Sequence, residues 1–96
     1  MANERLTGKQ IRHLRALGHH LKPVVLIGKA GISEAVIRQV NQALYDHELV
    51  KIRLQETCPV DRKLAADELS ARTSSYLVQV LGRTILLFKQ REDEIG

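Results

Sequence analysis

The stretch PVVLIGKAGIS, residues 23–33, decides how this chain folds. Its first half, Val24–Ile27, is an uninterrupted and largely β-branched apolar run, which predicts a buried strand covered on both faces. Gly28 and Gly31 interrupt the run, and the hydroxyl of Ser33 can cap a following helix. The stretch therefore predicts a strand, a glycine loop and a helix in direct succession.

Helical spacing continues beyond this stretch and also precedes it. Apolar residues at 32, 36, 40, 43 and 44 predict a helix that ends near His47. Upstream, Thr7 can cap a helix over residues 8–18, whose apolar side is Ile11, Leu14 and Leu17 and which Gly18 is placed to end.

The second half of the chain predicts two further strand regions and a helix between them. Residues 49–55 alternate between apolar and polar, which is typical of a half-exposed strand. Asp61 can cap a helix over residues 61–73, with Leu64, Ala65, Leu69 and Ala71 or Arg72 facing inward. Strands over 75–81 and 84–89 meet at Gly82-Arg83, a two-residue hairpin signal. The predicted fold class is α/β, in the order α-β-α-β-α-β-β, with a four-stranded mixed sheet.

Length and composition predict one soluble domain. The chain has 96 residues, 44% hydrophobic and 27% charged, which suits one core over about residues 5–90 and a frayed polar tail over 91–96. Cys58 is the single cysteine, which favours a reducing compartment. Because the chain shows neither the apolar stretch of a signal peptide nor an apolar run of about 18 residues, we expect a cytoplasmic protein.

Positive charge is concentrated at the amino-terminal end. The net formal charge is +4, but residues 1–31 carry six cationic side chains against one carboxylate, a formal +5. This distribution suits a polyanionic partner.

The glycine loop is the feature that most resembles a binding site. Glycines let a backbone approach a ligand closely, and the start of the next helix offers unpaired N–H groups with partial positive charge. These features predict phosphate binding by Gly28, Lys29, Ala30 and Gly31, as in the G-x-x-G turn of KH domains. An unliganded tight turn is the alternative. The loop matches neither a P-loop nor a dinucleotide-binding motif.

The predicted first helix carries a basic stripe. Arg5, Lys9, Arg12 and Arg15 lie opposite its apolar side, and Lys22 follows it. The stripe alone is typical of a solvated face. If this helix and the glycine loop lie at one end of the sheet, their cations form a single RNA-binding surface. Lys51, Arg53 and Arg83 either extend that surface or face elsewhere.

Other chemistry finds little support in the sequence. The four histidines and Cys58 lack metal-ligand spacing, and Cys58 at a proline turn suits a partly buried thiol, so we expect no metal, no cofactor and no catalysis. Tyr45, Tyr76 and Phe88 are too scattered to form a base-stacking platform.

Four segments together resemble a known family, the bacterial YhbY proteins of the CRM (chloroplast RNA splicing and ribosome maturation) group. They are residues 21–25 (LKPVV), 28–33 (GKAGIS), 47–51 (HELVK) and 79–83 (QVLGR). The resemblance spans nearly the whole chain, with Ile32-Ser33 where such proteins usually have Leu-Thr. It implies a fold similar to the C-terminal domain of initiation factor three, RNA binding through the G-x-x-G loop and basic surface, and association with precursors of the large ribosomal subunit, without catalysis.

The residues, together with what this resemblance implies, predict a monomeric protein that binds structured ribosomal RNA and assists assembly of the large ribosomal subunit. Its RNA-binding residues would be Gly28, Lys29, Ala30, Gly31, Lys9, Arg12, Arg15 and Lys22. One rival interpretation is a protein-interaction module of the translation machinery with incidental cations. Another is a small nucleotide-processing enzyme, which only the glycine loop suggests.

Overall fold

A computed structural model describes residues 6–91 of the chain. Three helices and four strands alternate in the predicted order: α1 (Gly8–Gly18), β1 (Val25–Ile27), α2 (Glu34–His47), β2 (Leu49–Leu54), α3 (Arg62–Thr73), β3 (Tyr76–Leu81) and β4 (Thr84–Phe88). The predicted frayed tail, apart from Arg91, and Arg5 of the predicted basic stripe lie outside the described residues. No helix within residues 6–91 is long and apolar enough to span a bilayer.

The four strands form one mixed sheet in the order β1-β2-β4-β3. β1 and β2 are parallel neighbours joined through α2, with Ile27 opposite Leu54. β4 lies between β2 and β3 and is antiparallel to both. The crossover through α3 therefore joins β2 to β3, two parallel strands with β4 between them. The predicted fold class is confirmed.

Two apolar clusters hold the layers together, one on each face of the sheet. The larger lies between the sheet and the helices α2 and α3, and Val40, Ile52, Leu69 and Ile85 are completely buried there. The smaller lies under α1. This asymmetry leaves the α1 face of the sheet only partly covered, because one short helix has to shield four strands.

All three predicted helix caps are present. Thr7 Oγ1 accepts the N–H of Gln10 at 3.1 Å, and Gln10 Oε1 accepts the N–H of Thr7 at 2.8 Å, which is a capping box. Ser33 Oγ accepts the N–H of Val36 at 3.2 Å. Asp61 caps α3 in the same way by accepting the N–H of Lys63 at 3.0 Å. The helix starts were predictable because each cap is a local contact.

Three burial predictions are wrong, and tertiary packing explains each. α1 does not cover the edge strand β1, so Leu26 is 53% exposed instead of being covered on both faces, as is Val24 just before the strand. Leu17 on α1 is 46% exposed, because Leu14 and Gly18 are the residues of the helix that face the sheet. On α3, Leu64 is 64% exposed and Ala71 is exposed, because Ala66 and Thr73 face the core together with Ala65 and Leu69.

Candidate nucleic-acid interface

The glycine loop is a tight turn whose shape needs glycine at its end. The N–H of Gly31 donates to the carbonyl of Gly28 at 3.0 Å, and the N–H of Ser33 donates to the carbonyl of Gly31 at 3.1 Å. Gly31 has a φ of +69°, in the left-handed region that L-residues with a Cβ atom avoid. The turn therefore returns the chain directly to Ser33, where α2 begins.

The loop rests on the segment that connects β2 to α3. The N–H of Gln55 donates to the carbonyl of Ile27 at 2.8 Å, which extends the β1–β2 pairing to the edge of the loop. A Cβ atom on Gly28 would lie 2.5 Å from Gln55 Oε1, and one on Gly31 would lie 3.6 Å from Val60. The hydrogen bond ties the loop to this segment, and both glycines lie too close to it to leave much room for a side chain.

The tip of the loop is open to solvent. Lys29 and Ala30 are exposed and Gly28 is half-buried, while Gly31 is buried against the supporting segment. Within residues 6–91, Lys29 takes part in no ion pair. A backbone turn with a cation at its tip, shortly before a helix start, is an arrangement that favours binding of phosphate.

The acidic side chain that follows the loop most closely in the chain is already paired. Glu34 opens α2, and its carboxylate accepts a hydrogen bond from the Arg72 guanidinium of α3 at 2.6 Å. The Glu34 hydrogen bond, followed by that of Glu68, raises the pKa of Arg72 above its usual value. The pairing compensates a carboxylate that would otherwise compete with phosphate. Glu56, in the supporting segment, is exposed.

The predicted cations of α1 are available to a ligand. Lys9, Arg12, Arg15 and Lys22 are all exposed, and within residues 6–91 none of them takes part in an ion pair. They form a basic surface of their own on the helix and the segment that follows it.

Lys9, at the start of this α1 surface, lies at the end of the sheet opposite the glycine loop, which answers a question that the sequence left open. Lys9 lines a groove with Phe88, which pairs with Leu49 at the first residue of β2. The loop follows Ile27, which pairs with Leu54 at the other end of β2. Five residues of strand, about 17 Å, separate the two levels along β2. The short segment between α1 and β1 runs across the sheet, which chain proximity could not show.

Sequence reasoning missed the exposed residues between these two sites. Arg53 projects from the α1 face of the sheet beyond the end of α1, as do Leu26 and Leu81, which are 53% and 56% exposed. The alternation of apolar and polar residues along β2 indicated that the side chains of Lys51 and Arg53 point away from the core. Nothing local indicated that the two leucines are uncovered, because apolar strand residues are usually buried.

The remaining chemical candidates do not form a site. Residues 6–91 contain no group of three metal-ligating side chains. Cys58 is half-buried, with its thiol 3.9 Å from the carbonyl of Val60, as a structural thiol would be. Tyr45 is exposed, and the Arg91 guanidinium lies 5.3 Å from the centre of its ring.

Comparison with known proteins places this arrangement in a family. The sequence model of the CRS1 / YhbY (CRM) domain matches residues 6–89. The chain is 40% identical over 88 residues to the probable RNA-binding protein YqeI of Bacillus subtilis, covering 92% of each protein. It is 39% identical to the probable RNA-binding protein PA4753 of Pseudomonas aeruginosa, covering 88% of this chain and 82% of that protein.

A solved structure agrees with these matches. The solution structure of the hypothetical protein SAV1595 from Staphylococcus aureus superposes with a TM-score of 0.78 at 40% sequence identity, covering 93% of both chains. The sequence match spans every helix and strand described above, and the fold agrees over nearly all of its length. The chain therefore belongs to the CRS1 / YhbY (CRM) domain family.

Proposed function

We propose that this protein binds structured RNA by holding backbone phosphates at the Gly28–Gly31 loop. The observation that carries the proposal is the solvent-open tip at Lys29 and Ala30, which directly precedes the start of α2 and has no ion pair within residues 6–91. An exposed turn, a helix start and an ammonium group together favour a phosphate oxygen.

The basic surface of α1 supplies a second set of phosphate contacts. Because Lys9 and the loop are separated along the sheet, one phosphate cannot reach both, and a longer RNA segment has to span the distance. Folded RNA offers phosphates at such spacings on a rigid surface, whereas a mononucleotide does not. This geometry supports an RNA ligand over a small phosphorylated one.

The relatives named as probable RNA-binding proteins support the same class of ligand. Within that class we propose ribosomal RNA in precursors of the large subunit, bound by a cytoplasmic monomer that assists assembly. The interaction would need no cofactor and would involve no catalysis, since its chemistry is charge neutralisation and hydrogen bonding. The lone Cys58, free and half-buried, suits a reducing compartment.

Ala30→Asp tests the loop, with Ala30→Asn as its matched control. Both substitutions introduce a side chain of nearly the same size at the exposed tip of the loop, so we expect both variants to fold. Only Asp adds a negative charge beside the proposed phosphate. In a filter-binding assay with protein-free ribosomal RNA, we expect Asp to weaken binding well beyond Asn, with folding verified by circular dichroism. Equal affinities of the two folded variants would reject the loop as the phosphate site.

Lys29→Gln measures the contribution of the cation. Arg91→Gln serves as its control, because the Arg91 guanidinium lies over the ring of Tyr45 on α2, away from the loop and on the face of the sheet opposite α1. The loop variant should reduce the magnitude of the log-log salt slope by about 0.7–0.9, the value for one phosphate contact, and the control should leave the slope unchanged. Failure of the wild-type protein to bind protein-free RNA would instead favour the protein-interaction alternative.

A further inference from the structure

An open row of side chains crosses the α1 face of the sheet beside the glycine loop. Cross-strand pairing aligns Leu26 of β1 with Arg53 of β2, Arg53 with Thr84 of β4, and Thr84 with Leu81 of β3. Paired residues project from the same face, so these four side chains form one continuous row of about 14 Å, three strand spacings. We call Leu26, Arg53, Thr84 and Leu81 the open row.

The open row is on the α1 face because its neighbours along each strand point the other way. Ile27, Leu54 and Ile85 belong to the cluster under α2 and α3, and Val80 packs against it. Successive side chains of a strand alternate between faces. The residues of the open row therefore project away from that cluster, toward the side on which α1 lies.

Helix α1 does not reach the open row. Its last residue, Gly18, packs on Leu86, and its first turns lie beside Phe88. Thr84 is two residues beyond Leu86, about 7 Å further along β4. Leu26 and Leu81 are consequently 53% and 56% exposed, and Arg53 is exposed between them.

Charge identifies the kind of ligand that suits this face. The four strands contain no aspartate or glutamate, and their only charged residues are Lys51 and Arg53, both on the α1 face. Arg83, in the turn between β3 and β4, adds an exposed cation at the edge of the row. An apolar surface with cations and no carboxylate is complementary to a polyanion that can also present flat apolar groups.

Unpaired RNA has both properties, whereas a duplex does not. The bases of a double helix are stacked inside it, and its outer surface is sugar and phosphate. Unpaired nucleotides expose base faces, and covering apolar side chains with these faces is favourable because it removes apolar surface from water. The phosphates of such nucleotides remain available to arginine. A protein partner would have to supply carboxylates opposite Arg53 as well as an apolar surface.

We propose that the open row binds unpaired nucleotides that continue from the RNA held at the glycine loop, with base faces on Leu26 and Leu81 and a phosphate at Arg53. This inference rests on the proposed RNA-binding function and extends it by a second contact surface. Leu26 is two residues before Gly28, so an RNA strand that leaves the loop meets the open row without crossing α1. The protein would thereby distinguish a stem that carries an unpaired segment from a continuous duplex.

The test compares two RNA probes, a hairpin with an unpaired loop and a continuous duplex with the same stem sequence. The double variant Leu26→Ser/Leu81→Ser removes the apolar contacts, and Leu64→Ser controls for loss of an exposed leucine on α3, at the other face of the sheet. Because the replaced side chains are half exposed, we expect the double variant to fold, which a thermal melt verifies.

We expect the double variant to bind the hairpin about tenfold more weakly while its affinity for the duplex is unchanged, a loss that fits two half-exposed leucines. The salt slope should not change, since leucine neutralises no phosphate. Arg53→Gln should weaken hairpin binding and reduce the magnitude of the slope by about 0.7. Leu64→Ser and Arg91→Gln should match the wild type on both probes.

Two other results would contradict different parts of the proposal. If the double variant and Arg53→Gln bind the hairpin as the wild type does, the open row is not an RNA surface, and a protein ligand becomes the better explanation of its exposed leucines. That outcome leaves the loop intact as a phosphate site, because Lys29→Gln would still weaken binding to both probes. If the wild type binds neither probe, the proposed function fails and this inference fails with it.

Discussion

Gly18 lies in the last turn of α1, where the helix backbone packs directly on the Leu86 side chain of β4. A Cβ atom there would lie 2.5 Å from Cδ2 and 3.0 Å from Cδ1 of Leu86. Leu86 is only 3% exposed, so it has little room to move away. A glycine at the end of a helix often adopts a left-handed backbone conformation, but Gly18 is not among the residues with positive φ. Its role is close packing.

Gly18→Ala should therefore destabilise the protein although alanine is the better helix former. Overpacking costs about 1–3 kcal/mol, and the higher helix propensity of alanine offsets about 1 kcal/mol of that cost, so we expect the free energy of unfolding to fall by about 1 kcal/mol. Urea denaturation measures this free energy. Gly8→Ala is the control, because a Cβ atom there would meet only Arg12 Nη1 at 3.6 Å. A Gly18→Ala variant as stable as Gly8→Ala would contradict the packing explanation.

Ser74 gives the opposite prediction. It ends α3 with φ 53° and ψ 46°, the left-handed conformation usually occupied by glycine. Ser74→Gly relieves about 1–2 kcal/mol of backbone strain and loses part of that to chain entropy, so we expect a gain of about 0.5–1 kcal/mol in unfolding free energy. Ala71→Gly, at an exposed position inside the same helix, should lose about 1 kcal/mol. Chemical denaturation of both variants tests the sign, and a destabilised Ser74→Gly would refute the strain argument.

At the level of elements, α1 combines a small packing role with an exposed basic surface. Leu14 is its only hydrophobic side chain that is fully buried, while Lys9, Arg12 and Arg15 are exposed. The caps and the spacing of apolar residues predicted the helix and its ends, since both are local properties. Its position over the half of the sheet away from the loop depends on Leu14, Val78 and Leu86 packing together, which is a contact between distant segments.

The double variant Lys9→Gln/Arg12→Gln tests the RNA-binding role of α1. Both residues are exposed and outside the apolar cluster, so the fold should be retained. We expect weaker binding to all structured RNAs alike, and a decrease of about 1.5 in the magnitude of the log-log salt slope, because phosphate contacts carry no base information. Affinity measured by fluorescence anisotropy over a range of salt concentrations provides the result. A loss restricted to one RNA sequence would show base recognition instead.

For the whole molecule, the proposal predicts steep salt dependence. If the loop and α1 together neutralise about four phosphates, the log-log slope of affinity against salt should be about −3 to −4. Arg72, which is paired with Glu34 and Glu68, should contribute nothing to this slope. Titration of the wild-type protein with protein-free ribosomal RNA at several salt concentrations measures the slope, and a flat response would exclude phosphate neutralisation as the basis of binding.

The order of elements, their ends and the glycine turn were predictable because each depends on residues a few positions apart: caps such as Thr7, alternation in β2, and the conformational freedom of Gly31. Which side chains stay uncovered was not predictable. Leu26 and Leu17 are apolar and are spaced as core residues are. Leu26 is exposed because α1 does not reach β1, and Leu17 because Leu14 and Gly18 face the sheet instead. The separation of the basic helix from the glycine loop has the same origin, since packing between segments far apart in the chain sets where each surface lies.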